Sequence, residues 1–198
     1  MEIKVRLGDR DAVEQPDWMP VVLILDNLRS AYNVGNLFRA AEATRSMGIV
    51  TCGYTATPPH IKLQKTARGC DETVPCEHFE TTPDAIAALK KRGFTVYGVD
   101  TVEGAAMYWD AEMQFPCAFV MGNEALGISA EALKLCDGFV KLPAIGMKNS
   151  INVGNCGAVI LFECVRRYWN RFGQEDLFAA SRGCETWRRR HCDASQVF

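Results

Sequence analysis

Val21-Val22-Leu23-Ile24-Leu25 is an unbroken apolar run that ends in the polar pair Asp26-Asn27. Such a run predicts a strand that is buried on both faces, which is typical of a parallel sheet covered by helices. From Asn33 the apolar residues take up helical spacing, at Val34, Leu37, Phe38 and Ala41. This pattern predicts a helix that runs to about Met47 and ends at Gly48.

The same alternation of strand and helix continues along the chain. Further strands are predicted at residues 49–53, 95–99, 117–121 and 138–142. One helix is predicted to begin at Thr82-Pro83, with Thr82 as its N-cap, and to end at Gly93. A long helix is predicted over residues 152–169, and we expect it to be buried because residues 151–162 are apolar on nearly every side. The pattern indicates an α/β fold with a parallel sheet flanked by helices.

The length and composition favour one globular domain. The chain has 198 residues, of which 48% are hydrophobic and 23% charged, and its formal net charge is −2. We place the domain at residues 18–170, between an N-terminal extension at 1–17 and a C-terminal extension at 171–198. The weak negative charge excludes nucleic-acid binding through bulk charge, so any contact with RNA must come from local basic patches.

Neither a signal peptide nor a membrane span is predicted. The N-terminus is charged from its second residue, and the longest strongly apolar run, residues 158–162, is far too short to cross a membrane. The nine cysteines form no CxxC pair and several lie inside apolar runs, so we expect buried free thiols and no metal site. We therefore expect a cytoplasmic protein.

Three of the predicted strands end in polar loops that contain glycine, at residues 26–36, 122–127 and 143–152. Because ligands bind beyond the carboxyl ends of parallel strands, we expect these loops to form a site. None of them matches a dinucleotide-binding motif, a P-loop or a GxSxG motif. The candidate side chains on this rim are Arg39, Glu124, Ser150 and the asparagines Asn33 and Asn152.

Three sequence motifs carry a resemblance to a known family. They read Asp26-Asn27-Leu28…Asn33-Val34-Gly35…Arg39, then Val120-Met121-Gly122-Asn123-Glu124…Gly127-Ile128, and then Leu142-Pro143…Gly146-Met147…Ser150-Ile151-Asn152-Val153. In these motifs, their order and their spacing, the chain resembles the SpoU–TrmH family of RNA ribose 2′-O-methyltransferases, part of the SPOUT superfamily. The resemblance covers about residues 20–170.

The resemblance implies a feature that apolar patterns do not reveal, a trefoil knot in the C-terminal part of the sheet. It also implies a homodimer that binds S-adenosylmethionine in the knot. The cofactor contacts that it implies are Val99, Thr101, Gly122, Leu142 and Ile151. Gly122 has a second interpretation, a turn glycine that needs a positive φ.

The resemblance gives the polar candidates their roles. Arg39 matches the family's catalytic arginine. A guanidinium is too weak a base to take the proton of a ribose 2′-hydroxyl, so we expect Arg39 to orient that hydroxyl and stabilise its developing charge, with an RNA phosphate assisting proton removal. Glu124 is expected to hold loops together through backbone N–H groups rather than to act as a base. Asn33, Ser150 and Asn152 are candidate site contacts, with helix capping as the alternative for each.

RNA contacts are expected at two basic clusters, one of Lys62, Lys65 and Arg68 and one of Arg188, Arg189 and Arg190. The second cluster has the alternative of a solvated terminus. The chain has no room for an added RNA-binding domain and so resembles the short, tRNA-directed members, which makes tRNA the expected substrate and rRNA the other candidate. The alternative function is a knotted RNA-binding module without catalytic activity, and the presence of Arg39 favours the enzyme.

Overall fold

The computed structural model describes residues 18–172, and seven parallel strands form one sheet in this part of the chain. The strands are β1 (Met19–Asp26), β2 (Ser46–Cys52), β3 (Cys76–Phe79), β4 (Thr95–Val99), β5 (Ala106–Met107), β6 (Cys117–Met121) and β7 (Gly138–Lys141). The helices are α1 (Ala31–Ala43), α2 (Ile61–Ala67), α3 (Cys70–Thr73), α4 (Thr82–Lys91), α5 (Ala130–Leu133) and α6 (Val153–Phe172). The extension at 1–17 and residues 173–198, with Arg188, Arg189 and Arg190, lie outside the described residues.

Across the sheet the strands follow the order β3-β2-β1-β6-β4-β7-β5. β1 lies between β2 and β6, and every one of its residues is buried. Its side chains alternate between two hydrophobic cores, with Leu23 in one and Ile24 in the other. Helices α1, α2 and α6 pack on the first face, and α4 and α5 on the second. The predicted α/β fold is confirmed, whereas the knot stays a prediction.

Three predicted helix boundaries are wrong. α1 begins at Ala31, because the Ser30 side chain accepts the N–H of Asn33 and caps the helix one turn earlier than the apolar spacing indicates. It ends at Ala43, where Arg45 adopts a positive φ of 50° and leads directly into β2. In α4 the N-cap is Thr81 rather than Thr82, and its hydroxyl accepts the N–H of Asp84.

Helix α6 is buried on one side only, so the expectation of an all-round buried helix is wrong within one chain. Ile160 and Leu161 have no exposed surface, whereas Val159 is 38% and Phe162 is 56% exposed. The buried side approaches α1 closely at Gly157, where a Cβ atom would collide with Leu37. The helix therefore presents one apolar side to the core and a second apolar side to the exterior.

The described cysteines are free thiols, and several are buried as expected from their apolar surroundings. Burial raises the pKa of Cys52 to about 12 and the pKa of Cys156 to about 11, so both thiols are protonated near neutral pH. None of the helices within residues 18–172 combines the length and apolarity that a membrane-spanning segment needs.

Candidate active site

A cavity of about 450 Å³ opens at the carboxyl ends of β4 and β6. Its apolar lining comes from Val99, Met121, Ile151, Val153 and Cys156, and its polar lining from Asp100, Asn123, Glu124, Ser150 and Asn152. Parallel strands meet at this edge of the sheet, and the beginning of α6 closes one side. A cavity of this size, lined by both apolar and polar side chains, is typical of a small-molecule site.

One wall of the cavity is the loop that follows β6, from Gly122 to Gly127. Gly122 packs against the backbone of Gly127 and Ile128 so closely that a Cβ atom would collide with both. The alternative interpretation of Gly122 as a glycine with positive φ is wrong, since only Gly127 in this loop has one, of 72°. Gly122 is needed for this close approach of two backbone segments.

Glu124 joins the loop after β1 to the loop after β6. Its carboxylate accepts the backbone N–H groups of Arg29 at 2.9 Å and Ser30 at 3.1 Å, and the side-chain amide of Asn33 at 2.8 Å. Partial burial opposes ionisation, but these hydrogen bonds outweigh it and lower the pKa of Glu124 below its ordinary value. The predicted backbone contacts are therefore present, and the carboxylate is ionised near neutral pH.

The third motif joins the same network through two asparagines. The Asn152 side-chain amide donates to Asn33 Oδ1 at 3.0 Å, and Asn33 in turn donates to Glu124. Asn152 Oδ1 also accepts the N–H groups of Gly154 and Asn155, so Asn152 caps α6 as its alternative role required. One hydrogen-bonded chain, Glu124–Asn33–Asn152, thus connects all three motifs.

Other candidate residues lie at differing distances from the cavity. Val99, Gly122, Ser150 and Ile151 line it, whereas Thr101 and Leu142 do not. Arg39 is exposed on α1, six residues or ~9 Å along the helix axis beyond Asn33, and is not part of the lining. Its side chain leans towards the N-terminal end of α1, as side chains in helices do, which is the end that carries Asn33.

Two polar residues of the site, Asp100 and Asn123, have no role among the sequence predictions. Asp100 lines the cavity directly after β4 and accepts the N–H groups of Thr101 and Ile128. Asn123 donates to the carbonyl of Asn27 at 2.6 Å and to the hydroxyl of Tyr54 at 2.8 Å. The sequence signal for Asp100 is its position as a polar residue just beyond a buried strand, and the signal for Asn123 is its place in the second motif.

The first basic cluster lies on α2 and its C-cap. Lys62, Lys65 and Arg68 are all exposed, and Lys62 borders a second cavity beyond β1 and β2. Arg68 ends the helix in the left-handed conformation, with φ of 55°. The cluster therefore faces the exterior beside the loop that leads from β1 into α1.

The sequence model of the SpoU rRNA Methylase family matches residues 20–162, which contain the cavity and all of the sheet except Met19. The chain belongs to this family. As a SpoU-family protein it is an RNA methyltransferase, and the predicted family is confirmed. The matched region ends inside α6, so the site described above lies within it.

Relatives of this SpoU-family protein include a tRNA (guanosine(18)-2′-O)-methyltransferase of Thermus thermophilus, 33% identical over 77% of this chain and 76% of that protein. An AdoMet-bound rRNA methyltransferase from Sinorhizobium meliloti superposes with a TM-score of 0.69 at 25% identity, covering 74% of this chain and 56% of that one. A SpoU methyltransferase from Streptomyces viridochromogenes in complex with AdoMet gives a TM-score of 0.70 at 24% identity, over 83% of this chain and 66% of that one. This chain thus spans less than two thirds of each of these two solved proteins.

Proposed function

We propose that this SpoU-family protein transfers a methyl group from S-adenosylmethionine to a ribose 2′-hydroxyl of RNA, with tRNA as its substrate class. The observation that carries the proposal is the Glu124–Asn33–Asn152 chain at the cavity, which joins the three motifs into one rim. The choice of ribose and of tRNA is supported by the name of the Thermus relative. With RNA as its substrate, we place the protein in the cytoplasm.

The residues of the cavity fit S-adenosylmethionine. When bound, this cofactor supplies a methyl group on a positively charged sulfur. Asp100 and the ionised Glu124 provide negative charge at the rim, which suits a cationic ligand, while Val99, Met121 and Ile151 offer apolar surface. The close backbone packing at Gly122 fixes the wall between them. Of the cofactor contacts implied by the family, we retain Val99, Gly122 and Ile151 as the holding residues.

Arg39 is proposed to act on the RNA rather than on the cofactor. It is exposed, and among the described residues no carboxylate forms an ion pair with it, so its guanidinium is available to a ribose oxygen. Its donors would orient the 2′-hydroxyl and stabilise the negative charge that develops on it. Glu124 does not serve as the base, because its oxygens already accept three hydrogen bonds and its pKa is lowered.

The surroundings of the site supply the remaining parts of the proposal. Lys62, Lys65 and Arg68 would hold RNA phosphates, and Ser150 lies at the rim where substrate would meet the cavity. The exposed apolar side of α6, with Val159 and Phe162, supports a homodimer formed by packing against a second copy. The knot implied by the family belongs to the same proposal.

The test separates cofactor binding from methyl transfer. Calorimetry with S-adenosylmethionine is run on the wild type, on Gly122→Ala and on Gly146→Ala, because a Cβ atom at Gly146 meets nothing within 4 Å. We expect Gly122→Ala alone to lose cofactor affinity. Transfer of a labelled methyl group to bulk tRNA, followed by alkaline hydrolysis, should leave labelled nucleotides that resist cleavage at a blocked 2′-oxygen.

The results distinguish the candidate functions. Label in alkali-sensitive nucleotides would contradict a ribose acceptor. RNA binding with neither cofactor affinity nor transfer would favour the non-catalytic RNA-binding module instead. Melting curves of both glycine variants show whether each protein is folded before its affinity is interpreted.

A further inference from the structure

A second cavity, of about 680 Å³, lies beyond the carboxyl ends of β1 and β2. Two tyrosines on its walls are unusually exposed for their size, Tyr32 at 70% and Tyr54 at 63%. Arg29 and Lys62 border the same cavity, and the described residues that line it include no carboxylate. Exposed aromatic rings beside cations are the features with which proteins bind single-stranded RNA.

Tyr54 is held in place by a residue that lines the first cavity. Its hydroxyl accepts the side-chain amide of Asn123 at 2.8 Å, and Asn123 lines that cavity. Gly53, just before Tyr54, has a positive φ of 58° and packs against the side chain of Asn27, which fixes the turn. The ring is therefore oriented before any ligand arrives, and a platform that is already ordered loses little entropy on binding.

Tyr32 connects the second cavity with Arg39. Positions 32, 36 and 39 follow the i, i+4, i+7 spacing of one helix face, and Tyr32, Asn36 and Arg39 are all exposed. A strand of RNA that lies along this face of α1 would pass from the tyrosines to the arginine. Arg29 and Lys62 line the same cavity, where they would meet its phosphates.

We propose that the second cavity holds an unpaired base of the RNA, stacked on Tyr32 and Tyr54, next to the nucleotide that is methylated. This inference rests on the proposed function, because it takes RNA as the substrate. The class of ligand is an unstacked nucleotide, with its base on the rings and its phosphate at Arg29 and Lys62. Stacking of this kind accepts any base, so the cavity selects single-stranded structure rather than sequence.

The experiment measures binding of a fluorescent single-stranded oligoribonucleotide and of the corresponding duplex to the full chain. The variants are Tyr32→Ala, Tyr54→Ala and, as matched controls that keep the ring, Tyr32→Phe and Tyr54→Phe. We expect each Ala variant to bind the single strand about 5- to 150-fold more weakly, and Tyr32→Phe to remain within about twofold of the wild type. Tyr54→Phe keeps the ring but loses its hydrogen bond to Asn123, so its affinity should lie between those of the wild type and Tyr54→Ala. Duplex affinity should be unchanged, and Tyr32→Ala should also keep the wild-type affinity for S-adenosylmethionine, because Tyr32 does not line the first cavity.

Two outcomes would overturn the inference. The first is an unchanged single-strand affinity in both Ala variants. The second is an affinity loss as large for the duplex as for the single strand, or as large in the Phe variants as in the Ala variants, because stacking would then not be the contact. The methyl-transfer assay on the wild type separates this inference from the proposed function. Transfer with unaffected Ala variants refutes the base site alone, whereas ring-dependent RNA binding without transfer refutes the methyltransferase alone.

Discussion

Glu124 contributes through geometry rather than through proton transfer. Two backbone N–H groups and one side-chain amide point at its carboxylate, and all three belong to the segment that leads from β1 into α1. An amide in its place would keep one acceptor oxygen but would direct an NH₂ group at donors. The carboxylate therefore specifies how two loops meet, and it lines the cavity at the ends of β4 and β6.

The pH dependence of Glu124→Gln tests this role. Because folding lowers the pKa of Glu124 from 4.5, its stabilising effect is complete above the unfolded value and is lost as the pH falls through the folded one. We expect Glu124→Gln to melt at a lower temperature than the wild type at pH 7, and the difference to shrink as the pH falls below 4.5 and through the lowered pKa of the folded state. Melting curves from pH 7 to pH 3 provide the measurement, and a constant difference throughout would contradict it.

Arg39 is expected to contribute to turnover much more than to folding. It leaves the buried face of α1, so Arg39→Ala creates no core cavity and should cost less than about 1 kcal/mol of stability. Loss of a positioned donor at a developing oxyanion should lower kcat ~10²–10³-fold. Arg39→Lys should remain impaired, because it keeps the charge and loses the planar guanidinium.

Methyl transfer to bulk tRNA, measured beside a melting curve, checks the Arg39 prediction. Lys91→Ala serves as the matched control, since it also removes an exposed cation, from α4 on the opposite face of the sheet. Normal turnover in well-folded Arg39→Ala protein would exclude this arginine and direct attention to Ser150 and Asn152 at the rim.

At the scale of elements, the sequence predicts the strands and helices that are long and apolar. β1 and β6 are recognisable because both faces of each strand are buried. β3 and β5 are short strands at the two edges of the sheet and have half-buried residues, so no apolar run marks them. The one-turn helices α3 and α5 are too short to show periodicity.

The residues of the candidate site also differ in how far the sequence predicts them. Motif residues such as Asn33 and Glu124 are identifiable by resemblance, and the structure gives them partners. For Gly122 the sequence leaves a cofactor contact and a turn glycine with positive φ as alternatives, and only the structure reveals the close approach of two backbone segments. Asp100 and Tyr54 acquire meaning only when the sheet brings the ends of distant strands together. No local pattern contains that information.

Helix α2 and its C-cap are expected to contribute to RNA affinity through their exposed cations. The triple variant Lys62→Ala, Lys65→Ala and Arg68→Asn removes the exposed cluster, and asparagine tolerates the left-handed conformation at position 68. We expect weaker RNA binding and a salt dependence that flattens by about one unit per lost phosphate contact. Affinity for S-adenosylmethionine should not change.

Titrations of RNA at several salt concentrations measure the effect of the α2 variant. The double variant Lys91→Ala and Lys134→Ala is the control, because both lysines are exposed on the opposite face of the sheet. Lys91 is the last residue of α4, and Lys134 is the C-cap of α5. An unaltered affinity and slope in the triple variant would show that RNA binds elsewhere.

At the scale of the whole molecule, the apolar surface is distributed unevenly. The sheet has helices on both faces, yet α6 leaves Val159 and Phe162 open, and Tyr108 and Ala158 join them around a hollow of about 390 Å³. If a second copy packs its own α6 against this surface, the exposed apolar sides of the two α6 helices cover each other, as two-fold symmetry requires. The N-terminal end of α6 adjoins the first cavity, since Val153 is the first residue of the helix and also lines that cavity.

The homodimer is therefore tested at Phe162. Light scattering at micromolar concentration should give about twice 22.0 kDa for the wild type and 22.0 kDa for Phe162→Glu, because a buried charge at the centre of an apolar interface is strongly unfavourable. Leu135→Glu is the matched control: Leu135 is 39% exposed and follows α5 on the other face, so this variant should keep the doubled mass. A single-chain mass for the wild type would refute the dimer. A doubled mass in Phe162→Glu would place the interface on another surface.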